Sequence, residues 1–121
     1  SPPARVALSA AVGDDPQVAL EAATELLQRN QPEQAEALLA KAVDNTPQHA
    51  GLWRALGLAH YRRGNYEQAQ VALTKAVSLD ASQPLSYFLL GATLRQQGQI
   101  SEAERNFARA QELDPRYAAL R

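Results

Sequence analysis

Residues 53–80, WRALGLAHYRRGNYEQAQVALTKAVSLD, decide the fold, because the chain repeats the plan of this stretch on both sides. Moving forward 34 positions, the same kinds of residue return in the same order, in the pairs Trp53/Tyr87, Leu56/Leu90, Gly57/Gly91, Gly64/Gly98, Ala69/Ala103, Leu73/Phe107 and Ala76/Ala110. Moving back 34 positions gives a weaker match, at Ala35, Leu39 and Ala42. A period of this length indicates a stack of supersecondary units, each too small to bury its own apolar face.

The composition favours closely packed helices and argues against several functional classes. The 121 residues are 45% apolar but only 6% aromatic, and the formal net charge is -1. A balanced charge argues against a general electrostatic grip on nucleic acid or on anionic membranes. The absence of Cys excludes disulfides and thiol chemistry, and no apolar run approaches the ~18 residues that span a bilayer. We therefore expect one continuous domain with no nucleic-acid partner and no membrane insertion.

The beginning of the chain and its basic residues suggest an origin. The sequence begins Ser1-Pro2-Pro3 without an initiator Met, as an excised fragment or a processed product would. Residues 1–15 are expected to form an N-terminal linker or a short capping helix that Gly13 ends. Ten Arg against two Lys, with abundant Ala, fit a GC-rich bacterial genome. The expected compartment is the bacterial cytoplasm or periplasm, and the residues do not decide between them.

Start and stop signals predict where the helices lie. Asp15 followed by Pro16 is a capping carboxylate before a Pro at the first helical position, and it opens a helix over about 16–28. Further helices are predicted over about 32–44 and over about 100–113. Between them, one helix opens after Thr46-Pro47 and runs to Arg63, another follows Asn65, and a third begins at Pro84 and ends at Gly98. Gly64 supplies a left-handed turn residue, and Asn65 with Gln68 has the spacing of a capping pair.

Two glycines in the middle of predicted helices indicate close packing. Gly57 and Gly91 each cost about 1 kcal/mol relative to Ala in a helix, so another element must approach the backbone there. The expected small partners are Ala69/Ala103 and Ala76/Ala110, and the large residues expected to fill the volume between helices are Trp53/Tyr87 and Leu73/Phe107. An alternation of large and small side chains is what tight packing of neighbouring helices requires.

The order of these residues resembles the tetratricopeptide repeat. The second unit reads W-x2-L-G-x2-H followed by A-x3-L, and the third reads Y-x2-L-G-x2-L followed by A-x3-F and a closing Pro115. The resemblance covers three units, residues 16–49, 50–83 and 84–117, and leaves residues 118–121 as the start of an unfinished capping helix. The first unit departs furthest from the pattern, since Ala19, Ala22 and Ala23 replace the large aromatic, the Leu and the Gly.

The resemblance implies an all-α fold and a concave binding groove. Antiparallel helix pairs would stack into a right-handed α-solenoid of about six or seven helices, a non-catalytic adaptor or scaffold that binds a peptide or partner protein along the first helix of each pair. The mapped groove positions are Leu20, Thr24, Leu27, Arg54, Leu58, Tyr61, Arg62, Leu85, Phe88, Ala92 and Arg95.

The groove residues suggest what kind of partner they accept. We hypothesise an apolar floor with a rim of Arg54, Arg62 and Arg95 that accepts an acidic and apolar segment. In the alternative interpretation, these arginines solvate a helix face and complement helix C-termini. The chaperone carboxylate clamp of the family is not expected, because the matching positions hold Leu20, Thr24, Ala55, Leu85 and Leu89.

No pattern in the sequence indicates catalysis. His49 and His60 are the only histidines, no carboxylates near them have metal-ligand spacing, and no Gly-rich phosphate loop is present. We therefore expect no catalytic residue, no metal and no cofactor, and we interpret His60 as a packed side chain. A different class of function stays open, namely structural self-association through the ends of the solenoid.

Overall fold

The chain folds into helices only, which confirms the predicted fold class. The computed structural model describes residues 15–120, and these form six α-helices and one 3-10 helix without a strand. The bounds are α1 (Pro16–Gln28), α2 (Pro32–Asn45), α3 (Ala50–Arg62), α4 (Tyr66–Leu79), α5 (Pro84–Gln96), α6 (Ile100–Leu113) and the 3-10 helix (Pro115–Leu120). The expected linker or capping helix before Asp15, and Arg121, lie outside the described residues.

Three helix pairs pack in series to make a solenoid. Each pair, α1 with α2, α3 with α4 and α5 with α6, packs closely, and α2 with α3 and α4 with α5 join successive pairs. The first helices also touch one another, α1 with α3 and α3 with α5. Two hydrophobic clusters fill the stack, one around Leu39, Leu52 and Leu56, and the other around Leu73 and Phe107.

A left-handed residue ends the turn inside each pair. Gly64 has φ 78° and Gly98 has φ 81°, as their positions predict, and Asn30 occupies the equivalent place in the first pair with φ 57°. Asn is the side chain that tolerates this conformation best after Gly. All three pairs therefore use one turn geometry, although the first uses a different residue.

The predicted N-terminal cap of α1 is present, but the predicted cap of α4 is not. The Asp15 carboxylate accepts hydrogen bonds from the backbone N–H groups of Gln17 (2.9 Å) and Val18 (3.4 Å). Asn65 precedes α4, but its side chain makes no capping hydrogen bond, so the predicted pair with Gln68 is wrong. The ψ of 71° at Asn65 lies short of the extended value that aims a capping side chain at the first turn.

Close approach of helices at the two mid-helix glycines is confirmed. A Cβ atom at Gly57 would lie 2.5 Å from Leu73 Cγ, and one at Gly91 would lie 2.9 Å from the Phe107 ring. Leu73 and Phe107 are buried in the second cluster. The backbone of α3 and that of α5 are therefore each in contact with the large residue of the helix that follows, which leaves no room for a side chain at these two glycines.

The C-terminal segment forms a 3-10 helix that begins earlier than the capping helix expected over residues 118–121. The backbone N–H of Tyr117 donates to the carbonyl of Asp114 at 3.0 Å, and the Asp114 carboxylate accepts from the N–H of Arg116 at 3.1 Å. The segment packs on α6. As a result, the Tyr117 ring lies 5.6 Å from the ring of Phe88 on α5.

Candidate functional site

The first helix of each pair, α1, α3 and α5, carries all the predicted groove residues. Because the repeat is 34 residues long, equivalent positions lie in rows that cross the three helices. The three rows are Leu20, Arg54 and Phe88; Thr24, Leu58 and Ala92; and Leu27, Tyr61 and Arg95. The repeat thus brings residues that are far apart in the chain to equivalent positions on neighbouring helices.

Two of the predicted groove residues support this face from inside. Leu27 is 7% exposed and Ala92 is 5% exposed, and they belong to the first and second hydrophobic clusters respectively. A partner could touch little of either side chain without opening the core. The sequence pattern placed both on the groove side, but their burial removes them from the surface that a partner could contact.

The apolar part of the groove centres on α3 and α5. Leu85 is 39% exposed, and Phe88, Leu58 and Tyr61 are half-buried. The Phe88 ring packs against both Phe107 (centroids 5.5 Å apart) and Tyr117, while Leu58 touches both hydrophobic clusters. These contacts hold the apolar side chains in place, so the surface is formed before any partner binds.

The three arginines of the predicted rim have different environments. Arg62 Nη1 donates a 2.6 Å hydrogen bond to the carbonyl oxygen of Leu27, at the C-terminal end of α1. Arg62 thus complements the C-terminal end of a helix, as expected if the arginines serve helix ends and not a partner. Arg95 is exposed, and its guanidinium lies 5.2 Å from the centre of the Phe107 ring.

The charge of Arg54 acts on one acidic side chain, that of Asp80. The pKa of Asp80 is lowered, chiefly by hydrogen bonds from Ser82 and to a smaller extent by the charge of Arg54. Arg54 itself is half-buried on α3.

The α1 part of the groove is polar and acidic. A shallow depression of about 490 Å³ runs along this helix, lined by Gln17, Leu20, Glu21, Thr24, Glu25 and Gln28. Glu25 pairs with Arg29 at 2.7 Å, whereas Glu21 accepts a 3.3 Å hydrogen bond from Gln17 Nε2. The Thr24 hydroxyl donates to the carbonyl of Leu20 at 2.8 Å and is thereby occupied.

A second depression, between α3 and α4, is a feature that sequence reasoning missed. It has a volume of about 360 Å³ and is lined mainly by Trp53, Leu56, His60, Val71 and Ala72. Val71 is 69% exposed. The sequence contained a signal for this apolar surface. Val71 on α4 is apolar, whereas the equivalent residue 34 positions later, Arg105 on α6, is charged.

His60 packs at the junction of the first two pairs. Its Nδ1 atom is buried without a hydrogen-bond partner and lies 3.8 Å from Glu36 Oε1 on α2, and Glu36 forms an ion pair with Arg63. Burial lowers the pKa of His60, while the Glu36 carboxylate opposes this shift.

Over residues 15–120, no group of three or more His, Cys, Asp or Glu side chains could hold a metal ion. Nor is any helix in this range both long and apolar enough to cross a membrane.

Helix pairs stacked in series around a row of first helices define a helical-repeat solenoid. Sequence models of one family, described as the tetratricopeptide repeat, match residues 20–84 and residues 84–117. The protein therefore belongs to the tetratricopeptide repeat family, as its resemblance implied. No curated protein matches the chain.

Solved structures with the same fold include repeat domains of different origins. The first tetratricopeptide domain of Spaghetti (RPAP3), bound to the HSP90 peptide SRMEEVD, is 24% identical, with a TM-score of 0.79 over 84% of this chain and 83% of that one. The Yersinia enterocolitica type III secretion chaperone SycD, in complex with a peptide of the translocator YopD, is 22% identical, with a TM-score of 0.78 over 86% and 82% of the two chains. At these identities the likeness shows the fold.

A third neighbour is part of a much larger protein. The O-GlcNAc transferase of Thermobaculum terrenum is 27% identical, with a TM-score of 0.80 over 88% of this chain but only 20% of that chain. The shared portion is therefore a minor part of that protein.

Proposed function

We propose that this chain is a non-catalytic adaptor or scaffold module that binds a peptide or partner-protein segment in the groove of α1, α3 and α5. Tetratricopeptide repeat domains are generally protein-interaction modules. The observation that carries the proposal is the set of partly exposed apolar side chains on α5 beside an exposed cation. Leu85, Phe88 and Arg95 lie at helical spacing on one face, although the core is already filled by Leu90 and Phe107.

The chemistry of the groove favours an internal apolar segment of the partner over a terminal carboxylate. The domain of Spaghetti (RPAP3) was solved with the HSP90 peptide SRMEEVD, and SycD was solved with a YopD peptide. These complexes support the use of a groove for a peptide. At the clamp positions, however, this chain has apolar side chains and Thr24, whose hydroxyl already donates to Leu20. We therefore propose that it is not a carboxylate-clamp binder of chaperones, and that it uses neither nucleic acid nor a cofactor.

Affinity capture from a bacterial lysate tests this proposal with two matched variants. The groove variant combines Leu85→Ser and Arg95→Glu, both at exposed positions, so its fold should survive and circular dichroism checks this. The control variant is Val71→Ser, which removes a more exposed apolar side chain from the depression between α3 and α4. We expect a partner to be recovered with the parent chain and the control but lost with the groove variant. Equal recovery by all three would overturn the groove proposal.

Self-association is a second candidate function, favoured by exposed apolar residues in the last part of the solenoid. Among the four large apolar side chains that are exposed in the described residues, Ile100 lies on α6 and Leu120 on the 3-10 helix. Repeat arrays whose apolar ends are open tend to stack. Sedimentation velocity over a range of concentrations distinguishes the two functions, because a strict monomer at the highest concentration would exclude this one.

A further inference from the structure

The proposed groove carries charges of opposite sign at its two ends. The α1 end has the carboxylates of Glu21 and Glu25 along its depression. The α3 and α5 helices contribute Arg54, Arg62 and Arg95 and no Asp or Glu. Since α1 and α5 lie on opposite sides of α3, the charge changes sign across the groove.

The contacts within the chain show which of these charges remain for a partner. Glu25 is paired with Arg29, and Arg62 is bonded to the Leu27 carbonyl. Arg54 is in no ion pair among the described residues, but its side chain is half-buried, unlike that of Arg95. Among the described residues no ion pair involves Glu21 or Arg95, and both are exposed. The acidic end therefore has its available charge at Glu21, and the basic end has it at Arg95.

The distance between the two ends suits a short extended segment. Packed helices lie about 8–10 Å apart, so α1 and α5 are separated by about 20 Å. An extended chain advances about 3.3 Å per residue and crosses that distance in about six residues. Between the two charges, the segment would cross α3 at Leu58 and Tyr61, which offer it an apolar surface.

We propose that the groove selects an extended partner segment that carries two opposite charges, and this inference rests on the proposed function. A basic residue of the segment would lie against Glu21 and an acidic residue against Arg95. About six mainly apolar residues would separate the two charges. A segment that is acidic throughout would place a like charge against Glu21. A segment that is basic throughout would place a like charge against Arg95. The charges thus act chiefly by rejecting partners of the wrong pattern.

Three synthetic peptides with one apolar core test the inference by fluorescence anisotropy. Their flanking charges are Lys and Glu, Glu and Glu, or Lys and Lys. An exposed charge contact is worth about 0.2–1 kcal/mol, so we expect the mixed peptide to bind about 1.4- to fivefold more tightly than either of the others at low salt. The preference should fade at 1 M salt, where the Debye length is only about 3 Å.

Charge reversal in the protein should then change the choice of peptide. Glu21→Lys should favour the peptide with two Glu residues, and Arg95→Glu should favour the peptide with two Lys residues. The double variant should again prefer the mixed peptide, bound in the opposite direction. Glu102→Lys, at an exposed position on α6 outside the groove, is the control and should leave the order of affinities unchanged.

The possible failures are distinguishable. Binding of all three peptides with equal affinity, unaffected by the charge reversals, would overturn the charge selection and leave the groove function in place. If no peptide bound the parent chain at any salt concentration, both this inference and the proposed use of the groove for an extended segment would be overturned.

Discussion

At the scale of single residues, the size of a side chain decides how closely the helices approach. Gly57 on α3 faces Leu73, and a Cβ there would lie 2.5 Å from Leu73 Cγ. Ala is the better helix former by about 1 kcal/mol, but overpacking of a core costs about 1–3 kcal/mol. The loss is expected to exceed the gain, because Leu73 is fully buried and has little room to move.

We therefore predict that Gly57→Ala lowers the free energy of unfolding by up to about 2 kcal/mol, measured by urea denaturation. Thr74→Ala, at an exposed position on α4, is the control and should leave stability unchanged or raise it slightly. If Gly57→Ala were as stable as the parent chain, the close approach of Leu73 would not limit the packing.

His60 should make the stability of the chain depend on pH. Burial lowers the pKa of His60 in the folded state below its ordinary value of 6.5, so the unfolded state binds the proton more readily. Its contribution is present above about pH 6.5 and is lost as the pH falls towards the folded-state pKa. The groups that face it are Glu36 and Arg63, with Glu67 along the same depression.

We predict that the parent chain loses more stability than His60→Tyr between about pH 7 and pH 5, measured by urea denaturation at each pH. Glu36→Gln should enlarge the loss in the parent background, because it removes the carboxylate that favours the protonated ring. Parallel pH profiles for the parent chain and His60→Tyr would contradict the assignment.

At the scale of elements, one long-range hydrogen bond joins the first two helix pairs. Arg62 at the end of α3 donates to the Leu27 carbonyl at the end of α1, which also accepts a hydrogen bond from the backbone N–H of Asn30 at 3.0 Å. The cation also lies at the negative end of the α1 dipole. This contact connects the two pairs on the groove side.

We predict that Arg62→Ala destabilises the chain by about 1 kcal/mol and increases hydrogen exchange at the end of α1. Arg105→Ala on α6, an exposed position, is the matched control and should change neither quantity. Unchanged exchange in α1 with Arg62→Ala would mean that the hydrogen bond does not hold this helix end.

At the scale of the whole molecule, the stack is held together by contacts between neighbours, so its stability can vary along its length. In the first pair, Ala19, Ala22 and Ala23 occupy positions where the later pairs have an aromatic residue, Leu and Gly. Less apolar area is buried by Ala than by Leu or an aromatic residue. The first pair should therefore open more readily than the others.

We predict lower protection from native-state hydrogen exchange in α1 than in α5, measured by NMR or mass spectrometry. Ala22→Leu, which restores the usual large residue at a half-buried position, should raise the protection of α1. Equal protection in the two helices would show that the stack unfolds as one unit.

The sequence by itself determined the helices, the repeat and the close approach at two glycines. Asp15 and Pro16 predicted the start of α1, and the 34-residue period predicted that Gly57 and Gly91 would have the same surroundings. Capping acts within a few residues, and the apolar pattern of a repeat is written again in every unit. Such signals can be read along the chain without knowing the fold.

Only the tertiary structure decided which groove residues remain available. Arg62 and Arg95 looked alike in the sequence, but Arg62 is bonded to a carbonyl 35 residues away and Arg95 is exposed. Leu27 and Ala92 follow the groove pattern, yet the neighbouring helices bury them. Burial and hydrogen bonding depend on atoms that come together only when the helices stack, which is why a pattern within one helix could not predict them.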